Sequence, residues 1–403
     1  MLLSEKKLVP KLRFSGFEDE WKTLKIGDCL DVKYGKDYKH LNEGKYPVLG
    51  TGGVMEYVDD FLYSGESILI GRKGTIDKPR YINGSFWTVD TLFYTEIKKE
   101  FPKFLFYCLS NINWLKYNEA SGVPSLSANN IKNVKINVPK LDEQKKIANL
   151  LTLLDNKINL LKEKHEDYLN FKKYLMQQIF AQKSRFADDE KWVSVTIDNL
   201  FDNITDYVAA GSFADIRKNV TYLKNPDYAQ LIRTADLKSN FTNGDFVYVD
   251  KHAFEYLWRV NLDESCIILP NIGNIGEVYY VDPMELPYSN NVLAPNAILL
   301  KSNDNIKFKY YLLESTYFKN QLDIINEAGG RGKFNKTNLK KIKIKVPNNN
   351  LEKEKIANCL SSVDNKLKYF NIQLMETQNF KKGLLQQMFD IMLNIHLFKL
   401  HIL

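Results

Sequence analysis

The chain has 403 residues, 44% hydrophobic and 26% charged, with 23 Tyr and 23 Phe. It is long enough for two or three domains and too apolar for a disordered or fibrous protein. Lys plus Arg exceed Asp plus Glu by 56 − 49 = 7, which permits a polyanionic partner without identifying one. Four scattered cysteines with no C-x-x-C spacing exclude a zinc knot and a disulfide framework and suit a reducing, cytoplasmic setting. No apolar run is long enough for a membrane span or a signal peptide.

Residues 1–142 read as a first globular head. Arg13-Phe14 leads into Trp21 and Ile26, and a basic, aromatic loop follows with Lys33, Tyr34, Lys36 and Tyr38. An apolar strand at 68–70 runs into a turn where Arg72, Lys73, Lys78 and Arg80 face one acid, Asp77, around Gly71 and Gly74. Such a loop brings backbone N–H groups and flexible cations to phosphate, although a plain β-turn explains the glycines equally well. Thr75 and Ser125 complete the candidate DNA contacts of this head. Val134, Ile136 and Val138 alternate with polar residues, so a half-buried strand closes it.

Residues 143–182 then form a first rod. Ile147, Leu151, Leu154, Ile158 and Leu161 recur with spacing 4, 3, 4, 3, a seam that requires a partner helix. His165 interrupts it, and a step from Tyr168 to Phe171 is expected to shift the register before Leu175. Residues 183–351 read as a second head. It repeats the frame of the first: Arg185-Phe186, Trp192 and Ile197 at entry, Ile342, Ile344 and Val346 alternating at exit, and an apolar strand at 267–269 running into a turn with Gly273 and Gly276. The stretch from Arg331 to Lys345 holds seven basic residues and no acid, a local excess equal to that of the whole chain. A solvated strand face accounts for Lys341, Lys343 and Lys345, whereas Arg331, Lys333 and Lys336 sit in a Gly-rich loop suited to phosphate. Only 8 of the 56 basic residues are arginine. Arg72, Arg80, Arg233 and Arg331 are therefore the candidate guanine readers, and Asn271, Asn274 and Asn335 the candidate adenine readers.

Residues 352–390 form a second rod that is a copy of the first. Glu143 to Phe180 aligns without gaps on Glu352 to Phe389, with 17 of 38 positions identical. The seam recurs at Ile356, Leu360, Val363, Leu367 and Phe370, with Thr377 interrupting it. The second head must join the end of one rod to the start of the other, and no Gly-, Ser- or Pro-rich linker retraces their length, so the rods are expected to run antiparallel. An apolar tail, 391–403, is too short to span a bilayer.

No catalytic constellation stands out. Asn225-Pro226-Asp227-Tyr228 departs from the amino-methyltransferase motif, and Gly332-Lys333 is followed by Phe334 where a P-loop needs Ser or Thr. Asp227, Asp236 and Lys238 superficially match a metal-dependent PD-(D/E)xK nuclease, which stands as an alternative beside a plain coiled-coil scaffold. The histidines and cysteines form no metal-ligand set.

Two variable heads joined by near-identical rods, with IAN and LDNK stretches in the rods and segments such as ILIGRKGTI and LPNIGNIGEVYY in the heads, resemble the specificity subunits of type I restriction-modification systems. The resemblance covers the chain to about Phe389; the apolar tail departs from it. It implies an α+β fold in which two α/β target-recognition domains are held apart by two long antiparallel coiled-coil helices, related as a pseudo-twofold internal repeat. It implies a non-catalytic subunit whose heads each read half of a bipartite sequence in double-stranded DNA, and whose rods set the unread spacer and dock two methylation subunits. Motor-nuclease restriction subunits complete such a complex. S-adenosylmethionine, ATP and Mg belong to the partner subunits, with no cofactor or metal on this chain.

Overall fold

The computed structural model describes residues 8–187, 191–327, 333–392 and 398–400. The two expected rods are single helices, Leu141–Phe180 and Asn350–Phe389, each of 40 residues, or about 60 Å at 1.5 Å per residue. The chain divides into two compact units, and each long helix contributes to both: one unit holds residues up to Glu163 and from Phe370 onward, the other Lys164–Tyr369.

In the first unit a six-stranded sheet runs in the order Leu30–Tyr34, Leu92–Ile97, Tyr63–Gly71, Arg80–Thr88, Glu43–Gly50, Gly53–Val58. All its pairings are antiparallel except that of Glu43–Gly50 with Arg80–Thr88. The strand expected before the rod is Lys135–Val138, which pairs with Lys22–Lys25 and buries Ile136 and Val138. One core joins this head to the helices: Trp21, Phe104, Trp114 and Ile131 cluster with Ile147, Ala148 and Leu151 of the first long helix and with Leu384 and Met388 of the second. As residue numbers rise on one helix the partners fall on the other, so within this unit the two segments are antiparallel. The backbone after the second helix also pairs here, Ile391–Met392 with Val9–Pro10 and Phe398–Leu400 with Leu12–Phe14.

The second unit repeats the plan with a different sheet. A four-stranded sheet, Asn203–Asp206, Ala297–Lys301, Cys266–Pro270, Tyr279–Val281, accompanies a three-stranded one, Val247–Val249, Ala229–Ile232, Asn291–Leu293. The exit strand Lys343–Val346 pairs with Val193–Thr196, and its alternation holds: Ile344 and Val346 are buried while Lys343 and Lys345 face solvent. Lys336 and Lys341, expected in the loop and on the strand, instead begin and end the short helix Lys336–Lys341. Phe308, Tyr311 and Leu339 pack with Met176, Ile179 and Phe180 of the first long helix and with Ile356, Ala357 and Leu360 of the second. Here too the helix segments are antiparallel.

The seam residues Ile147, Leu151, Ile158, Leu161, Ile356, Leu360, Val363 and Leu367 are buried, with Leu154 and Phe370 half-buried. The expected register shift does not occur. Phe171 is 47% exposed, and the inward position belongs to Lys172, which continues the 4, 3 spacing from Leu161 through His165 and Tyr168 to the half-buried Leu175 and the buried Ile179. A charged residue holds the seam because it has partners: Lys172 meets Asp364 at 2.9 Å and Glu314 at 3.0 Å, beside the Tyr311 ring. Burial works against its charge, but Glu314 and Asp364 outweigh that and raise its pKa. The other unit contains the repeat-related arrangement, with Lys381 paired to Asp155 beside the ring of Tyr107. Tyr107 and Tyr311 donate to Asp155 and Asp364, each at 2.7 Å.

Each head is fastened to its helix by a second duplicated pair. Arg13 grips Glu143 through two bonds of 2.7 Å, and Arg185 grips Glu352 at 2.7 and 3.0 Å. The planar guanidinium matches a carboxylate in this two-bond geometry. The glutamates are nearly inaccessible, Glu143 at 2% and Glu352 at 1% of side-chain exposure.

Candidate nucleic-acid interface

The basic turn of the first head leaves the central strand Tyr63–Gly71. Gly71 is required there, since a Cβ would lie 2.0 Å from the Thr75 carbonyl oxygen, and Gly74 adopts φ +87°, the left-handed region that favours glycine. The turn is stitched to a distant loop: the Leu126 N–H donates to the Arg72 carbonyl, the Gly74 N–H to that of Pro124, and Lys73 bridges Ser125. Arg72 lies 5.4 Å over the Tyr34 ring, while its Nη1 donates to the Asp90 carbonyl at 3.1 Å. Tyr34 is 52% exposed and braced edge-on by Phe93. Lys36, Lys73, Thr75 and Lys78 are exposed, Tyr38 is half-buried, and Lys33 pairs with Glu96 at 3.3 Å. Arg80 turns inward, donating to the Gly50 carbonyl, and burial lowers its pKa. Beside these groups lies an open cleft of about 670 Å³ lined by Tyr38, Lys39, Thr51, Asp90 and Thr91.

The second head has the same stitch. Asn271 follows the central strand Cys266–Pro270, the Phe334 N–H donates to its carbonyl at 3.2 Å, and Ile272 bridges Lys333. Asn271, Ile272, Lys333, Phe334, Asn335 and Asn338 line a hollow of about 350 Å³. The Asn271 Oδ1 is buried without a hydrogen-bond partner among the described residues. Asn335 caps the helix Lys336–Lys341 by accepting from the Asn338 N–H at 2.8 Å, and Asn274 is exposed. Arg331 lies outside the described residues.

Two basic candidates of the second head are held by carboxylates, as Lys33 is in the first. Lys336 pairs with Asp206 at 3.2 Å, and Arg233 binds the fully buried Asp236 through its backbone N–H and two side-chain bonds. Hydrogen bonding to Asp236 raises the Arg233 pKa. The nuclease alternative gains no support, because its three residues have separate tasks. Asp236 is committed to Arg233, Lys238 meets Glu277 at 2.6 Å, and the exposed Asp227 accepts from the Tyr228 N–H. Among the described residues, no three His, Cys, Asp or Glu side chains are grouped to hold a metal. No helix among them is long and apolar enough to cross a membrane.

Sequence reasoning did not assign the two Arg–Glu grips or the Lys–Asp locks. The signal was present, since Glu143, Asp155 and Lys172 recur as Glu352, Asp364 and Lys381 in the duplicated helices. Identity between copies marked these polar positions, but neither hydrophobic spacing nor local charge identified their partners.

Comparison with known proteins agrees with this geometry. The family model described as the type I restriction modification DNA specificity domain matches residues 18–168 and 189–376, one copy on each half. A type I restriction enzyme MjaVIII specificity subunit of Methanocaldococcus jannaschii is 24% identical, with 91% of each chain covered. A putative type I specificity subunit of Mycoplasma pneumoniae is 22% identical over 81% of this chain and 85% of its own. In fold, the chain is similar to the crystal structure of a type I restriction-modification S subunit from M. genitalium, with a TM-score of 0.66 and 18% identity, covering 96% of this chain and all of that one. The chain, with its duplicated heads and rods, thus belongs to the type I restriction-modification DNA specificity family.

Proposed function

We propose that the chain serves as the DNA-binding specificity subunit of a type I restriction-modification complex, each head reading one half of a bipartite sequence. The observation that carries this is the repeated stitch between two loops. Both heads build the same backbone platform after the central strand but place different side chains on it: Arg72, Lys73 and Ser125 in one, Asn271, Ile272 and Lys333 in the other. A shared platform with exchanged polar groups suits two readers of different sequence, because base edges are distinguished by donor and acceptor pattern. The exposed lysines around each platform supply the sequence-independent attraction to phosphate. Exchanging the loop from position 331 to Asn335 for an unrelated sequence is expected to alter one half-site only. A change in both halves would refute separate readers.

The rods set the unread spacer and dock two methylation subunits, which carry S-adenosylmethionine, while restriction subunits supply the ATP- and Mg-dependent steps; this chain works in the cytoplasm by binding alone. Supporting the docking role, Asn170, Phe171 and Lys173 recur as Asn379, Phe380 and Lys382 although all six face solvent. Phe171 and Phe380 are 47% and 55% exposed, so packing within this chain does not explain their recurrence. Two equivalent exposed aromatics suit two copies of one partner. Replacing both by alanine is expected to leave thermal stability within about 0.5 kcal/mol. The same change should weaken methylation-subunit binding by roughly tenfold or more in a calorimetric titration. Unchanged affinity would remove these residues from the docking surface.

A further inference from the structure

The two heads diverge at a position that their backbones make equivalent. Arg72 and Asn271 are each the first residue after the central strand. The N–H of each donates to the residue just before a neighbouring strand, Arg72 to the Thr91 carbonyl at 2.9 Å and Asn271 to that of Asn296 at 3.1 Å. The carbonyl of each accepts from the partner loop, from Leu126 at 2.9 Å and from Phe334 at 3.2 Å. Three further correspondences follow in register: Lys73 with Ile272, Ser125 with Lys333, and the helix caps Ser127 with Asn335. The backbone is thus held on both sides while the side chain is free to differ.

Resting on the specificity-subunit reading, we propose that positions 72 and 271 are the equivalent base-selecting positions of the two heads, Arg72 selecting guanine and Asn271 selecting adenine. Arg72 is pre-oriented for this, its guanidinium 5.4 Å over the ring of an exposed tyrosine and anchored by one nitrogen to a backbone carbonyl. The anchored fork presents paired donors to the guanine O6 and N7 acceptors. Asn271 offers the complementary set, an amide donor for adenine N7 and an acceptor for the adenine N6 amine. Its Oδ1 is buried without a partner at the wall of a hollow, so a donor arriving from DNA would satisfy a group that is otherwise costly to leave alone.

The test maps methylated adenines genome-wide in a methylation-free host expressing the full chain with its methylation partner, for the wild type and for Arg72→Lys, Arg72→Asn and Asn271→Asp. Arg72→Lys keeps the charge and loses the fork. It is expected to relax one guanine in one half-site by about 5- to 150-fold, the range for a bidentate base contact. Arg72→Asn should move that position toward adenine, and Asn271→Asp should relax one adenine in the opposite half. Each variant's melting temperature is measured alongside; if one head's variant fails to fold, the other head's variant decides. A wild-type bipartite motif that persists unchanged in the folded variants overturns the assignment and leaves the specificity reading standing. Change in both halves from one substitution also overturns it, and no wild-type motif at all overturns the reading on which it rests.

Discussion

Glu143→Ala is expected to remove roughly 3–5 kcal/mol of folding stability, the cost of leaving a buried charge without its partner. Arg13 is held at 5% side-chain exposure by Glu143 and also donates to the Asp19 carbonyl, so its charge could not be rehydrated without opening the core around Phe14 and Trp21. Urea unfolding checks this, and a loss below about 1 kcal/mol would show that the pair is solvated in solution. Converting both residues to leucine or methionine should recover most of the loss, because apolar groups of similar volume avoid desolvation altogether. The second unit adds a pH signature through Glu352. Burial disfavours its charge, but Arg185 outweighs this and holds its pKa below the ordinary 4.5. A depressed carboxyl contributes stability that is present above the unfolded-state value and fades as pH falls through the folded one. Acid unfolding should therefore weaken this contribution below about pH 4.5, and Glu352→Gln should flatten that limb of the stability curve.

The second large effect concerns the rods. Inserting four residues into each long helix, between Asp155 and Lys172 and between Asp364 and Lys381, adds one turn, or about 6 Å. At about 3.4 Å per base pair the unread spacer should lengthen by about 2 base pairs, with both half-sites unchanged. Both helices must receive the turn, because the aspartate and lysine are 17 residues apart in each copy, 172 − 155 and 381 − 364. Lengthening one helix alone would leave its aspartate and lysine mismatched with those of the other. An unchanged spacer would show that the rods do not set it.

The repeat was legible from identity between its two copies, and the two rods, their buried seams and the strands before them because each rests on local periodicity: 3.5 residues for the helices and 2 for the strands. Lys172 was missed for a specific reason. A hydrophobic seam rule prefers Phe171, yet two carboxylates make the lysine the better occupant. The grips were out of reach for another reason, since Arg13 and Glu143 are 130 residues apart and Arg185 and Glu352 167. In the candidate interface, sequence alone placed Arg72, Lys73 and Asn271 in turns. It could not show that Ser125 and Lys333 complete those turns from across the head, or that Asp236 and Asp206 hold Arg233 and Lys336.

In the proposed role, this chain dictates a two-part DNA word to a methylation partner. Co-expression of the wild-type chain with that partner in a methylation-free host, followed by single-molecule mapping of methylated adenines, tests it most directly. A bipartite motif with one fixed gap is the expected result; a soluble complex that methylates nothing, or methylates without sequence preference, would contradict the account.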